Sequence, residues 1–428
     1  MAGYSVIRDP IYGPIPLDPF ARELIDTHAF QRLRRVQQLS LASLVYPSAM
    51  HTRFEHSVGV YHLARTIVES LERKGELGAV PPDDVRIIPY AGLLHDLSQH
   101  LAAHLLHEFG IPGVEHEEVG ARSLESGEIS DVLGSLGSPD AAGRIGAIIK
   151  QESGNPLAGI VAGNCDADKM DYIARDAYHC GLPIGYDQGH LRDAITLVAD
   201  PVSGSSRIGI DSSGLTSFEQ MLYSKSTLYR NVYFHRSVRA AMAMLRTLVL
   251  RAIEERLIEI GELHQWSDSE LFTVVGVRVR DAQGSGSPTT AFVIRLLDRL
   301  LARDLYKPAA SLPLSVMAKP SAERILAAET RLAREFGVER GGVIVDFPAK
   351  PTMLATDLPV RFPDNRVRNV RDLGPEDGFA LTRASQEAQY VASGSIYVFT
   401  AAPLGVGDAE VRRRLERALE QEATPGAA

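Results

Sequence analysis

Residues 91–107 read AGLLHDLSQHLAAHLLH. An apolar run, Ala91 to Leu94, leads straight into an adjacent histidine and aspartate, His95 and Asp96, and His100, His104 and His107 follow. Burying an imidazole and a carboxylate is costly unless they pair or hold a metal, so this stretch predicts a metal centre. Eight of the chain's 13 histidines lie in it or in its flanks: His51, His56, His62, His95, His100, His104, His107 and His116. The excess is local, and a local excess marks a site. An HD pair alone is more often a helix-end cap or a surface pair, so the remaining ligands have to come from elsewhere in the chain.

Outward from this stretch the pattern is mostly helical. Ile7 to Leu17 has three prolines and a glycine among β-branched residues and predicts extended or turn structure. From Asp18, Phe20, Leu24, Ile25, Phe30, Leu33, Val36 and Leu39 recur at helical intervals, which predicts two helices meeting at Asp26-Thr27. A long amphipathic helix is expected from about Thr52, with Arg53 and His56 one turn apart on one face. Val85 to Glu108 supplies one or two more. In DADKMDYIARD, Asp168, Tyr172, Arg175 and Asp176 recur at i, i+4, i+7 and i+8 and predict one polar stripe. A hairpin is expected around Pro201 to Asp211, and helix over Leu215 to Leu263. GGVIVDFPAK and SGSIYVFTAAP read as strands, and Asp408 to Glu422 as a charged helix. The expected architecture is mainly α: a helical core over residues 1–280 and a smaller C-terminal α+β lobe over 281–428, divided at the break DAQGSGSP.

Composition sets the class. With 428 residues, 45% hydrophobic and 23% charged, the chain can bury a sizeable core. A net charge of −9 disfavours long nucleic acid as a partner, while a local basic pocket remains compatible with a nucleotide. Two cysteines, Cys165 and Cys180, fit a reducing compartment. No window reaches the roughly 18 apolar residues of a membrane span, and no leader pattern opens the chain, so a cytoplasmic location is expected.

A mononuclear hydrolytic site needs about four to six ligand positions of mixed imidazole and carboxylate, one of them left for water or substrate. His56, His95, Asp96 and Asp168 can supply four from three helices. The set RFEHSVGV, AGLLHDL and DADKMDYIARD, with VIRDPIYG and IDTHAFQRLRRVQQL before it, resembles the HD-superfamily deoxynucleoside triphosphate triphosphohydrolases. The resemblance runs from Val6 to about residue 310 and is loose beyond.

What it implies is specific. The metal ligands fall on His56, His95, Asp96 and Asp168, and the metal is a divalent ion (Mg, Mn, Fe, Co, Ni or Zn). Arg53, Lys169 and Tyr172 fall on phosphate-binding positions, Tyr233 on a residue packing against the sugar, and Gln38 and Asp176 on readers of the 3′-hydroxyl. His104 and His116 correspond to histidines that contact the α-phosphate and move protons, for which their near-neutral pKa suits them. The implied partners are a (deoxy)nucleoside triphosphate as substrate, a nucleotide activator near Asp26, Gln31 and Arg34, and further copies of the chain. The implied reaction is hydrolysis at the α-phosphorus to nucleoside and tripolyphosphate.

The chain also departs from that pattern. Gln99 stands where the family has a histidine, His107 where it has an acid, Lys225 where it has an arginine, Phe234 where the vertebrate enzyme has a glutamine, and Arg8 where its activator site has an asparagine. A glutamine cannot exchange a proton near neutrality, and lysine lacks the arginine fork. Two other readings therefore remain: a phosphatase or phosphodiesterase acting on nucleotides or their analogues, and a nucleotide sensor with weakened turnover.

Overall fold

The computed structural model describes residues 5–111, 116–138, 140–199, 205–282, 287–348, 357–381 and 394–420, together with 385 and 388; the side chains of His104, His116 and Glu117 lie outside this description. The opening Pro-rich stretch forms an antiparallel hairpin of β1 (Ser5–Asp9) and β2 (Gly13–Leu17). Helices α1 (Pro19–Asp26) and α2 (His28–Gln31) meet at Thr27, whose side chain caps α2 by accepting from Phe30 N. The chain then tightens into a 3-10 turn at Arg32–Arg35 instead of continuing as α-helix to Leu39.

Helix α3 (Arg53–Arg73) starts where a hydroxyl can accept an orphan first-turn N–H: Thr52 Oγ1 takes Glu55 N at 3.5 Å. Helix α4 (Pro82–Leu94) begins with proline in its first turn, where the missing N–H costs nothing. The two helices pack closely because α4 carries Gly92. A Cβ there would lie 3.2 Å from Ala64 Cβ and 3.3 Å from the Val60 side chain. That close packing brings His56 on α3 and His95, just past α4, to 5.1 Å between ring centroids.

The histidine-rich stretch is not one helix. It turns through Leu97–Ala102 and restarts as α5 (Ala103–Phe109), so His100 lies in the turn. Helices α6 (His116–Ser123), α7 (Gly127–Gly134) and α8 (Ala141–Ile149) lead to α9 (Ala167–His179), capped by Asp166 through Lys169 N. After α10 (Gln188–Ala194), β3 (Ile195–Ala199) and β4 (Ser206–Asp211) form the expected hairpin. Helix α11 (Leu215–Leu228) passes through a π-turn at Tyr229–Tyr233 into α12 (Arg236–Glu254). Next come α13 (Ile260–Leu263), α14 (Asp268–Asp281) and α15 (Pro288–Leu301).

The expected late strands form. β6 (Val343–Asp346) and β5 (Lys307–Pro313) flank β9 (Ser395–Thr400) in an antiparallel sheet covered by α16 (Ala322–Glu335) and the helix Asp408–Glu420. The short strands β7 (Pro359–Arg361) and β8 (Val367–Asn369) go elsewhere: β7 pairs in parallel with β4, giving the order β3-β4-β7-β8. The protein is thus mainly α with a smaller α+β lobe.

Three apolar clusters hold it together. The first joins β2, α1 to α4, α7 to α9 and α11, and takes in Leu358, Val360 and Phe379 from far along the chain. The second packs α12 against α14 and α15, on both sides of residue 281, and includes Leu101, Leu105 and Leu106. The third lies under the β5-β9-β6 sheet and contains Phe234. None of the helices described is long and apolar enough to cross a membrane.

Candidate metal centre and nucleotide cavity

His56, His95 and Asp168 converge from α3, the end of α4 and α9, with one ligand atom from each lying within 4.8 Å of the others. Both rings are held by their other nitrogen. His56 Nδ1 lies 2.8 Å from Asp171 Oδ2, and His95 Nδ1 lies 2.8 Å from the Gly92 carbonyl. Both oxygens only accept, so each Nδ1 carries hydrogen and each Nε2 faces the centre. His56 Nε2 is 3.1 Å from Asp168 Oδ1. His95 Nε2 is buried with no hydrogen-bond partner among the described residues.

The electrostatics favour a cation. Burial opposes a charged His56, yet the carboxylates of Asp168 and Asp171 push it up to about 10. Burial alone would raise Asp168, but the His56 hydrogen bond and the charges of His95, His56 and Lys169 hold it down at about 2. An orphaned imidazole nitrogen beside two carboxylates and a second oriented imidazole is a donor set that fits a divalent ion. Asp96 stands at the edge: its Oδ1 is 3.6 Å from His95 Nε2, while its Oδ2 is 3.7 Å from His56 Nε2 and accepts from Arg53 Nη1 at 2.5 Å.

The centre opens on a cavity of about 660 Å³ whose lining includes Gln38, Arg53, Lys169, Tyr172, Asp176, Tyr233 and Phe234. That is the size of a small-molecule site. Arg53 is buried, and its Nε has no partner among the described residues. Lys169 Nζ bonds the Gly163 carbonyl and Asp166 Oδ2; burial works against its charge, but Asp166 and Asp168 raise its pKa. Gln38 Oε1 is likewise buried with no partner among the described residues. Asp176 is clamped, taking His51 Nε2 at 2.7 Å on one oxygen and the Tyr233 hydroxyl on the other. The π-turn sets that tyrosine on the wall, and Phe234 beside it packs 5.4 Å from Tyr229.

Other expected residues lie elsewhere. Gln99 is fully buried and is not on the cavity lining; its backbone carbonyl is drawn to Arg32 Nη2 at 2.8 Å, and its amide has no partner among the described residues. Lys225 is buried behind the lining, where burial, and then Lys169, push its pKa down to about 8. His107 is on the wall. His104 on α5 and His116 at the start of α6 fall outside the described side chains.

Arg175 leaves the predicted stripe. It points into the core, where Asp171, one turn before it, and Asp9 take its guanidinium. Asp26 and Gln31 line a separate concavity with Glu23 and Glu128, while Arg34 bonds Gln31 and lies 3.5 Å over the Phe54 ring. Two residues that sequence reasoning passed over prove central. Asp171 was signalled only by its i, i+4 spacing to Arg175, and His51 only by its place in the local excess of histidines.

With this geometry in view, the family is clear. Residues 53–176 match the HD domain family and residues 193–384 the HD associated region. The chain belongs to the HD-domain phosphohydrolase superfamily and is deoxynucleoside triphosphate triphosphohydrolase-like within it.

It is similar to an uncharacterized protein of Methanocaldococcus jannaschii, 30% identical over 381 residues, covering 87% of this chain and 75% of that one. It is also similar to the deoxynucleoside triphosphate triphosphohydrolase SAMHD1 of Danio rerio, 27% identical over 414 residues. That match covers 85% of this chain but only 65% of the Danio protein. Among solved structures, a hypothetical protein from Aquifex aeolicus aligns with a TM-score of 0.68 at 25% identity, over 97% of this chain and 100% of that one. A phosphohydrolase from Bacteroides thetaiotaomicron shares the fold at 22% identity, with a TM-score of 0.69 over 93% of this chain and 100% of its own.

Proposed function

We propose that the protein hydrolyses (deoxy)nucleoside triphosphates at the α-phosphorus, releasing nucleoside and intact tripolyphosphate. The observation that carries this reading is that one cavity holds both the His56, His95 and Asp168 cluster and, beside it, Arg53 and Lys169, with Gln38, Tyr233 and Asp176 on the same lining. A divalent ion held there by His56, His95 and Asp168, with Asp96 alongside, would supply Lewis acidity and an activated water.

The chain's own groups do the rest. Arg53 and Lys169 bind phosphate oxygens and offset charge that builds on them. Tyr233 packs against the sugar, while Gln38 and Asp176 meet its hydroxyl, Asp176 being held in place by His51. A histidine, His104 or His116, gives a proton to the 5′-oxygen as it leaves. Gln99, off the lining, does not share in that transfer. The activator reading extends to Asp26, Gln31 and Arg34, although Glu23, Asp26 and Glu128 make that concavity acidic, so a nucleotide there needs cations from outside it.

The test is product analysis. The metal-stripped chain is reloaded with each divalent ion and given each deoxynucleoside triphosphate in H2(18)O, with and without a guanine nucleotide. Tripolyphosphate carrying the label and unlabelled nucleoside are expected. Orthophosphate or pyrophosphate would replace this reading with stepwise phosphatase action. Nucleotide-dependent stabilisation without product would leave a binding protein. Light scattering reads the assembly expected from the resemblance.

A further inference from the structure

Behind the metal centre a buried chain of charged groups runs from His56 away from the cavity. His56 Nδ1 meets Asp171 Oδ2 at 2.8 Å. The same carboxylate takes Arg175 through Nε to Oδ2 and Nη2 to Oδ1, both at 2.8 Å. Arg175 Nη1 reaches Asp9 Oδ2 at 2.8 Å, and Asp9 Oδ1 accepts the N–H groups of Ile11 (2.8 Å) and Tyr12 (3.0 Å) in the β1–β2 turn. Asp171 and Arg175 are both 0% exposed.

Space for this arrangement exists only because α3 carries a glycine one turn after His56. A Cβ on Gly59 would lie 2.0 Å from Asp171 Oδ1 and 2.5 Å from Arg175 Nη2. A doubly held carboxylate has one available position, and the histidine bonded to it inherits that position. Neither Asp171 nor Arg175 lines the cavity, so neither acts on substrate directly.

We infer that Asp171, locked by Arg175 and Asp9, is a positioning residue that fixes His56 as an Nε2 metal ligand, and that the N-terminal hairpin thereby sets the metal affinity of the site. This rests on the metal-dependent reading above. Two features favour positioning over fold stability alone. The strand residue Asp9 lies 166 positions from Arg175, yet the path from it ends on a ligand ring. Gly59 also leaves room for the two polar side chains rather than for an apolar contact.

The test measures metal binding without nucleotide. The metal-stripped full chain is titrated with Co2+ against a chelator while the visible spectrum is recorded, and the 15N shifts of the His56 ring report its tautomer. Asp171→Asn is expected to weaken Co2+ binding about 10- to 100-fold. Asp9→Asn, which keeps the shape but cannot accept both from the turn and from Arg175, should weaken it several-fold and mix the His56 tautomers. Gly59→Ala keeps every charge, displaces Asp171 and should act in the same direction. Glu329→Ala, in a separate buried ion pair, is the control for general destabilisation and should leave Co2+ affinity unchanged.

If Asp171→Asn does not fold, Asp9→Asn and Gly59→Ala carry the test. Wild-type affinity, spectrum and tautomer in both would overturn the inference, as would equal weakening by Glu329→Ala. A wild-type chain that binds no divalent ion would overturn the metal reading itself. Wild-type binding with unmoved variants sinks the positioning role alone.

Discussion

Arg53 pairs with Asp96 and lines the cavity, and replacing it separates that pairing from the phosphate role proposed for it. It opens α3 almost fully buried, with Nη1 on Asp96 Oδ2 at 2.5 Å. Arg53→Met keeps much of the stem's packing and removes the guanidinium, with its charge and its hydrogen-bond donors. Breaking a buried pair from one side typically costs about 3–5 kcal/mol. Asp96 keeps other neighbours, with His95 and His56 within 3.6 and 3.7 Å, so the lower end, about 3 kcal/mol, is expected for the metal-free protein. A divalent ion reverses part of this. Asp96, released from the arginine, gains a cation it would otherwise share, so the variant should bind metal at least as tightly as wild type. At a metal concentration of about 100 Kd, binding returns about 2.7 kcal/mol.

Turnover should move the other way. Loss of a charge-stabilising donor at the phosphate typically costs about 100- to 1,000-fold in kcat. Urea unfolding with and without metal, chelator competition and steady-state kinetics read the three quantities. A metal-free Arg53→Met protein as stable as wild type, or a kcat within threefold of it, would refute the assignment of Arg53 to both Asp96 and phosphate.

Asp168→Ala should lose bound metal and turnover together, and wild-type turnover across several metals and nucleotides would remove Asp168 from the centre. Glu329→Ala takes from Arg246 its buried carboxylate partner at 2.6 Å, leaving it the Val345 carbonyl, and should cost about 3–5 kcal/mol in urea unfolding while leaving kcat/KM unchanged. Burial lifts Asp268 to about 6, against the pull of Gln37 N–H and of Arg53 and Arg32. The folded state then holds this proton more tightly than the unfolded state does, so stability falls as pH rises from about 4 to about 6. Asp268→Asn should remove a fall on the order of 2–3 kcal/mol from the unfolding profile, and an unchanged profile would contradict the shift.

The convergence of His56, His95 and Asp168 was expected from the short motifs that carry each of them, although the three lie far apart along the chain. Thr52 caps α3 where a helix was expected to begin; His95 caps the end of α4 inside the span Val85 to Glu108 expected as one or two helices, and Asp168 lies in the first turn of α9. The 91–107 stretch was less legible. Its histidines fall at helical intervals, yet Arg32, from 65 residues away, draws the Leu97 and Gln99 carbonyls into a turn. No window of sequence contains that competition. Arg175 shows the same limit: periodicity put it on the polar stripe, but it is drawn to Asp171 and to a strand at the other end of the chain. His51 was counted in the histidine excess without a role of its own, and its contact appears only when α9 brings Asp176 against it.

The return of residues 357–381 to the first cluster has a consequence for synthesis. Arg361 bonds Glu76 across 285 residues, and Glu219 accepts the N–H groups of Ala380 and Leu381. Until that segment leaves the ribosome, β4 presents an open edge and the core around His56, His95 and Asp168 lacks Leu358, Val360 and Phe379. Contacts so distant along the chain form slowly, and an unfinished edge invites pairing with a neighbouring copy. A chain cut at residue 281, the division expected from the sequence, should therefore aggregate on expression rather than yield a separable catalytic fragment.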